Sequence, residues 1–527
     1  MKTIKRYSVI FTALALFMLA GCEKDFDKIN TNPNAPTEAS TAALLSQAIR
    51  DLAYNDFDVW YSARQSDLAC QHFSQRNYTS EDRYSFRVNV TDGFFRNNYL
   101  YLNNLQQIIN LNTDPATKDK YAVLYGSNTM QIAVAEIMKS WGLQLLTDYF
   151  GDIPYKQALQ LEKYPQPAYD PQKDVYDGLI STLDKAAADL TVLNDEGASG
   201  FTSGDLLYNG DLSQWIKFAN SLRLRLALRA SNVDASYLAI AQDAIADGVF
   251  ESNDDNARCE FSTSGAPNEA PWYNGFFVSG RNDFSFCQRF IETLKGNSYL
   301  NWTNPFEGIQ DPRYPVLTLN AGYTKFGVPY GMSDGQTQSW WSTSGSSKRI
   351  SLYNTANPLT SPNFPSTFLD YPTVCFMVSE IEGWDADWFR NGIVASLEQW
   401  GAEDNGYVDA VMAKFADATT EQKKEMVITQ KYIHLVKQSA EAWAEYRRTG
   451  YPKSLVKPGE VTYVKDDGTE IVFTPVPGSE SGADIVARFK YPSSEYTLNE
   501  TNVKAAVVRM GEDSHAQRVW WDGGGKQ

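Results

Sequence analysis

Residues 134–154 read VAEIMKSWGLQLLTDYFGDIP, and this stretch decides the fold class. Val134, Ile137, Met138, Trp141 and Leu145 recur at i, i+3, i+4, i+7 and i+11, which places them on one apolar stripe of a helix. Gly151 and Pro154 then stop that helix. Downstream, Trp215, Phe218, Ala219, Leu222 and Leu226 form a second stripe, with Arg223, Arg225 and Arg229 interleaved. Residues 174–190 read as a further helix between the two, and 235–248, 391–400, 405–416 and 420–448 continue the pattern. Helices paired through short connectors predict a mainly α chain of stacked helical hairpins.

Residues 253–372 interrupt that pattern with Gly, Ser, Asn, Pro and aromatics and carry no long periodic run. A loop region this long within a compact protein is usually functional or disordered, and its aromatic content argues against disorder. Val461 to Pro475 alternates β-branched residues on both sides of Asp467-Gly468, a short hairpin signal.

At the other end, Lys2, Lys5 and Arg6 precede an apolar run from Ser8 to Ala20, which closes on Leu19-Ala20-Gly21-Cys22. This is the form of a lipoprotein signal. The run is too short to cross a ~30 Å hydrocarbon core as a helix. The expected division is a signal peptide at 1–21, a lipid anchor at Cys22 with an extended leader to residue 39, and one body at 40–527. Within the body, helical repeats fall at about 40–250 and 373–452, the loop-rich insertion at about 253–372, and a C-terminal hairpin and tail at 453–527. Acyl groups on Cys22 would be the only hold on the membrane.

The chain of 527 residues carries a formal charge of −17, and loss of the three cations of 1–21 takes it to −20. Such a body is repelled by nucleic acid and by anionic lipid surfaces. Cys70, Cys259, Cys287 and Cys375 are widely spaced, without a C-x-x-C pair, and read as buried thiols rather than a stapled scaffold or a metal site. The 13 Trp, 30 Tyr and 27 Phe exceed what periodic stripes absorb and leave rings for a binding surface.

Several blocks together resemble one family. Phe26-Asp27-Lys28-Ile29-Asn30-Thr31-Asn32-Pro33-Asn34 follows the signal, and Thr147-Asp148-Tyr149-Phe150-Gly151-Asp152-Ile153-Pro154-Tyr155 closes the helix quoted above. Trp215 to Arg225, Asp311-Pro312-Arg313, Trp443 to Pro452 and Arg518-Val519-Trp520-Trp521-Asp522 follow in order. In this combination the chain resembles the SusD/RagB group of nutrient-binding outer-membrane lipoproteins. The resemblance implies about four tetratricopeptide-like helix pairs and a lipid-anchored position facing the cell exterior. It also implies a SusC-like TonB-dependent barrel as partner, to which a glycan or, in some members, a peptide is delivered. Glu23, Lys24 and Asp25 resemble the charged stretch that sends such lipoproteins to the surface. One departure stands out: at Val378-Ser379-Glu380-Ile381-Glu382-Gly383-Trp384 about ten residues of the family's longer helix are missing, which calls the packing of that repeat into question.

A pyranose presents an apolar C–H face and a rim of hydroxyls, so its sites pair flat rings with amide and carboxylate partners. Trp272, Tyr273 and Asn274 supply both kinds of group, as do Tyr330, Trp340 and Trp341 with Asp334, Gln336 and Gln338 near them. Arg76, Asn77, Tyr78 and Tyr84 form a second candidate patch. The bland alternative is that these rings fasten long loops to the helical body. Trp520 and Trp521 read as docking the tail, and Arg447 and Arg448 as closing a helix before Gly450 and Pro452.

No catalytic residue, metal ligand or cofactor is expected. His72, His434 and His515 are far apart, and no H-E-x-x-H, G-x-S-x-G or phosphate-cradling glycine loop occurs. Asp385-x-Asp387 and Asp254-Asp255 could offer oxygens to a structural calcium but do not fit the twelve-residue loop. The reading is a non-catalytic glycan receptor. Peptide cargo, a surface glycoside hydrolase and a purely structural subunit of the barrel remain as alternatives.

Overall fold

The computed structural model describes residues 40–319, 325–345 and 349–524. The expected signal peptide, anchor residue Cys22 and leader to residue 39 lie outside the described residues. Helices of eight or more residues are numbered in chain order. The first is α1 (Thr41–Asn55), begun by the Ser40 hydroxyl, which accepts the Ala43 N–H. It is followed by α2 (Val88–Thr113), α3 (Lys118–Tyr125), α4 (Asn128–Phe150), α5 (Gln172–Asp195), α6 (Leu212–Ala230) and α7 (Tyr237–Ala246). Chain neighbours pack: α1 on α2, α2 on α4, α4 on α5, α5 on α6 and α6 on α7. The stripe read on α4 is one side of a helix that is buried almost all round from Met130 to Phe150. A helix apolar on every face belongs in the middle of a body rather than on its surface.

The insertion contributes α8 (Gln288–Lys295) and α9 (Asp334–Ser344). Beyond it run α10 (Tyr371–Ile381), α11 (Ala386–Trp400), α12 (Tyr407–Ala416), α13 (Thr420–His434), α14 (Ser439–Thr449) and, near the end, α15 (Glu500–Met510). The pairs α2/α4, α5/α6, α6/α7 and α10/α11 are among the closely packed helix pairs, and α10 also packs on α6, α7 and α13, so the early and late helices share one core. The 420–448 pattern divides into two helices. The chain breaks at 435–438, where Lys437 is left-handed (φ 72°), while His434 and Gln438 both bond the Asp370 carboxylate, at 2.8 and 2.7 Å.

The shortened repeat packs closely. Gly383 (φ 76°) and Trp384 (φ 67°) turn the chain at once from α10 to α11. The Asp385 carboxylate caps α11 through the N–H groups of Asp387 and Trp388, each at 2.9 Å, and Ser379 donates to the Asp385 carbonyl at 2.7 Å. Eight short strands are β1 (Phe73–Gln75), β2 (Ile153–Pro154), β3 (Tyr169–Asp170), β4 (Ala257–Cys259), β5 (Phe284–Phe286), β6 (Ser366–Leu369), β7 (Val461–Val464) and β8 (Glu470–Val472). They form antiparallel pairs β1–β5, β2–β3, β4–β6 and β7–β8, the last being the hairpin expected around Asp467-Gly468.

Three of the blocks that carry the family resemblance, 147–155, 443–452 and 518–522, meet in one buried network. The Asp148 carboxylate at the end of α4 accepts from Arg229 of α6, from Tyr176 of α5 and from the Trp521 indole N–H, the last at 2.9 Å. Arg229 reaches on to Glu441 of α14. Arg448 binds Glu445 at 2.8 Å and the Glu380 carboxylate of α10 at 2.7 Å. Burial pushes the Glu445 carboxyl up, but the charges of Arg448 and Lys431 outweigh it and hold the group well below the usual carboxylate range. The Arg447 guanidinium lies 3.5 Å from the Trp443 ring centroid and donates to the carbonyls of Asp148 and Ala487, both at 2.8 Å. Such a set is stable only complete, because removing one partner strands a charge in a medium that cannot solvate it. Elsewhere Asp311 and Arg313 form a second closed pair, at 2.6 Å, that also holds Ser396 and Gln430.

Candidate ligand-binding surface

Burial divides the candidate rings. Trp272 follows Pro271 in a short helical turn and is 1% exposed, packed on Phe73 of β1 (4.7 Å between centroids), Phe276 and Phe284, with the Lys437 ammonium 3.8 Å from its ring. Tyr330 and Tyr84 are buried, each with its ring nearly perpendicular to Phe473, which follows β8. Trp340 is buried with Val328, Met332 and Ile471. These four rings fasten the insertion and the 76–86 loop to the body, the bland alternative, because β5 and the β7–β8 hairpin supply apolar surface that the local sequence does not show. None presents a face to solvent.

The other candidates reach the surface. Tyr78 is 58% exposed and left-handed (φ 58°), a backbone conformation rare outside glycine. Asn77, Tyr273, Asn274 and Trp341 are half-buried. The two patches, separate in sequence, are tied together. The Thr79 N–H donates to Asp334 in the first turn of α9 at 2.8 Å, and the Arg76 guanidinium lies 4.7 Å from the Trp341 ring centroid. The Arg76 N–H extends the β1–β5 ladder to the Asp283 carbonyl at 2.7 Å, and its guanidinium meets Asn282 at 3.4 Å. Ser285 of β5 in turn donates to the Ile350 carbonyl at 2.8 Å. Segments 76–79, 281–285, 334–341 and 349–353 therefore form one face.

Sequence reading missed several members of that face. Tyr353, 53% exposed, lies 4.8 Å from Phe277, which packs on Tyr273 at 5.4 Å. Trp60 is half-buried under Arg64 and Arg281, at 5.1 and 5.9 Å. Gly275 makes this packing feasible, since a Cβ there would stand 2.2 Å from Val59. No periodicity marks these residues, and only their density in Gly, Asn and aromatics could have drawn attention to them. Burial lowers the Arg76 guanidinium from its ordinary value, with Asp283 opposing and Arg349 reinforcing the shift.

Other chemistry-bearing groups are built into the framework. His72 is buried, bonded to the Tyr432 carbonyl at 2.9 Å, and burial takes it down to about 3. His434 sits between Asp370 and Ser396, each at 2.8 Å. His515 is bonded to the Arg488 carbonyl at 3.0 Å, and burial takes it down to about 4. The four described cysteines are buried free thiols. Asp385 is a helix cap, and Asp255 accepts from Lys217 and from the N–H groups of Glu251 and Ser252. Among the described residues no helix is long and apolar enough to cross a membrane. A cavity of about 40 Å³ beside Asp56, Trp141 and Glu441 has room for water and not for a sugar. A cleft of about 880 Å³ between residues 308–319 and 401–410 is roomy, but the one aromatic ring among its described lining residues, Tyr407, is 5% exposed. Rings open to a sugar face are found on the 76–353 surface instead.

Comparison with known proteins gives one family and a consistent set of folds. The model of the SusD-like family described as starch-binding and associating with the outer membrane matches residues 33–472. A solved chitin-binding protein is 29% identical, with 92% of this chain and 99% of that chain covered and a TM-score of 0.71. A chitin-binding SusD homologue from Flavobacterium johnsoniae is 23% identical over 92% and 98% of the two chains, at a TM-score of 0.71. A SusD homologue from Bacteroides uniformis is 23% identical over 92% and 99%, at 0.69. A search of curated proteins gives no significant match.

Proposed function

The chain belongs to the SusD-like family, and on that premise we propose that it is a non-catalytic receptor that captures a glycan on the 76–353 surface. It passes the glycan to a TonB-dependent barrel that it caps. Acylation of Cys22 holds it to the outer membrane, with the body facing the cell exterior. What supports the reading is the gathering of exposed and half-buried rings from separate segments, Tyr78 and Tyr353 with Tyr273, Phe277 and Trp341, together with the amides of Asn77, Asn274 and Asn282. Flat apolar faces beside amide donors and acceptors are what a pyranose requires. The chitin-binding titles of two similar structures point the same way. Capture is of modest affinity, because the ligand must leave again for the transporter.

The test is calorimetry against a glycan panel, followed by Tyr78→Ala and Tyr353→Ala. Both side chains are more than half exposed, so folding is unaffected, and each replacement weakens binding by about 1 kcal/mol or more. Unchanged affinity in both removes them from the site. Binding of peptides with silence across the glycans replaces the cargo, and release of reducing ends by clean protein replaces the non-catalytic reading. Cys22→Ala abolishes labelling by a radioactive fatty acid if the anchor is as proposed, and co-purification tests the barrel.

A further inference from the structure

The proposed surface carries cations that its neighbours leave unpaired. The guanidinium carbons of Arg76 and Arg349 lie 4.7 and 4.5 Å from the centroid of the same indole, Trp341. Arg349 is fixed there by donating to the Trp341 carbonyl. Arg281, exposed, lies over Trp60 and directly precedes the Asn282 that meets Arg76. Among the described residues, none of these three arginines is ion-paired with a carboxylate, and the acids beside them are already engaged. Asp283 is held by Arg64 at 3.2 Å, and Glu81 by Arg87 at 2.7 Å. Asp334 accepts the Thr79 N–H. The Arg76 Nε is shielded from solvent and makes no hydrogen bond.

The contrast with the rest of the molecule is what gives this weight. In the whole chain 64 Asp and Glu face 47 Lys and Arg. Three neighbouring arginines without an ion-paired carboxylate therefore stand out against an overall excess of acids. Two guanidinium groups on one ring repel each other, and an anion entering between or beside them relieves that repulsion. The planar fork of arginine matches carboxylate and sulfate oxygens, while stacking on an indole keeps the fork oriented.

We propose that this surface selects anionic glycans, with Arg76 and Arg349 taking a uronate carboxylate or a sulfate ester while neighbouring rings support the sugar. The inference rests on the glycan-receptor reading and adds the charge of the ligand.

Calorimetry on the full chain in detergent tests it with matched probes. One arm compares oligogalacturonate with the same oligomers fully methyl-esterified, and the other compares a sulfated galactan oligosaccharide with its desulfated form. The expected result is that the charged member of at least one pair binds about tenfold or more tightly than its neutral partner. That preference shrinks as salt rises from about 0.05 to about 0.5 M, because screening acts on exposed charge. A preference in the first arm assigns a carboxylate, and one in the second a sulfate ester. Arg76→Gln and Arg349→Gln each reduce the preference to about twofold or less. Thermal melting verifies that the variants fold, and where one does not, the salt dependence of the unaltered chain decides. Equal affinity for charged and neutral partners in both arms overturns this inference and leaves the receptor reading standing. Absence of binding to every glycan, charged or neutral, overturns both.

Discussion

Arg229 is 1% exposed, and the carboxylates that compensate it, Asp148 and Glu441, come from two other helices. Arg229→Met therefore removes the nearest cation from two buried carboxylates at once, and we expect a loss of about 3–5 kcal/mol in urea unfolding. His72 gives a pH signature. Its folded value of about 3 lies below the ordinary 6.5, so between those values the unfolded chain binds the extra proton and stability rises with pH. Asp58 and Asp522, both raised to about 7 by burial, act in the opposite sense over an overlapping window. The comparison that isolates His72 is the stability lost between pH 7 and 4.5, which should be larger in the unaltered chain than in His72→Gln by on the order of 2 kcal/mol. Trp272 shows what single residues conceal. An indole in an irregular segment reads as a platform because its cover, Phe73, belongs to a strand about two hundred positions away in sequence, and β1–β5 pairing leaves no local mark. Tyr78 was legible because its loop is polar on both sides, whereas Tyr353 and Arg349 acquire meaning only from the face they share with Trp341.

Elements were legible where their signals are local. Periodicity located the long helices, and Asp467-Gly468 located the β7–β8 hairpin. The strands that pin the insertion, β1–β5 and β4–β6, are three or four residues long and carry too little pattern to find. The division of 420–448 was hidden for a related reason, since the break is fixed by Asp370, which lies before α10 and gathers His434 and Gln438. The α10–α11 turn shows how a repeat tolerates a shortened helix. With the connection reduced to a few residues, the Asp385 cap takes over both ends of the turn, accepting from α11 and receiving Ser379 on its carbonyl. Asp385→Ala is expected to cost about 1 kcal/mol, read as a lowered melting temperature with the circular dichroism of the folded state unchanged.

At the scale of the whole molecule, segments from the early helices, the late helices and the tail meet around Asp148. Trp521 is fully buried there, its N–H on the Asp148 carboxylate and its ring beneath the guanidinium groups of Arg229 and Arg447, at 5.6 and 4.7 Å. Trp521→Ala opens a cavity at the junction and is expected to cost about 3–5 kcal/mol. The loss should show as one cooperative unfolding transition displaced as a unit, because early and late helices share the core. A separate early transition, with the remaining helices unfolding at the original midpoint, would mean that the tail closes only its own end. The separation of that last contact also has a bearing on time. Asp148 and Trp521 stand 373 positions apart, so a ribosome working at about 5–20 residues per second needs roughly 20–75 s to supply the second after the first. During that interval the Asp148 carboxylate lacks one of its donors. The donor set of the buried junction is thus completed only when nearly the whole chain has been made.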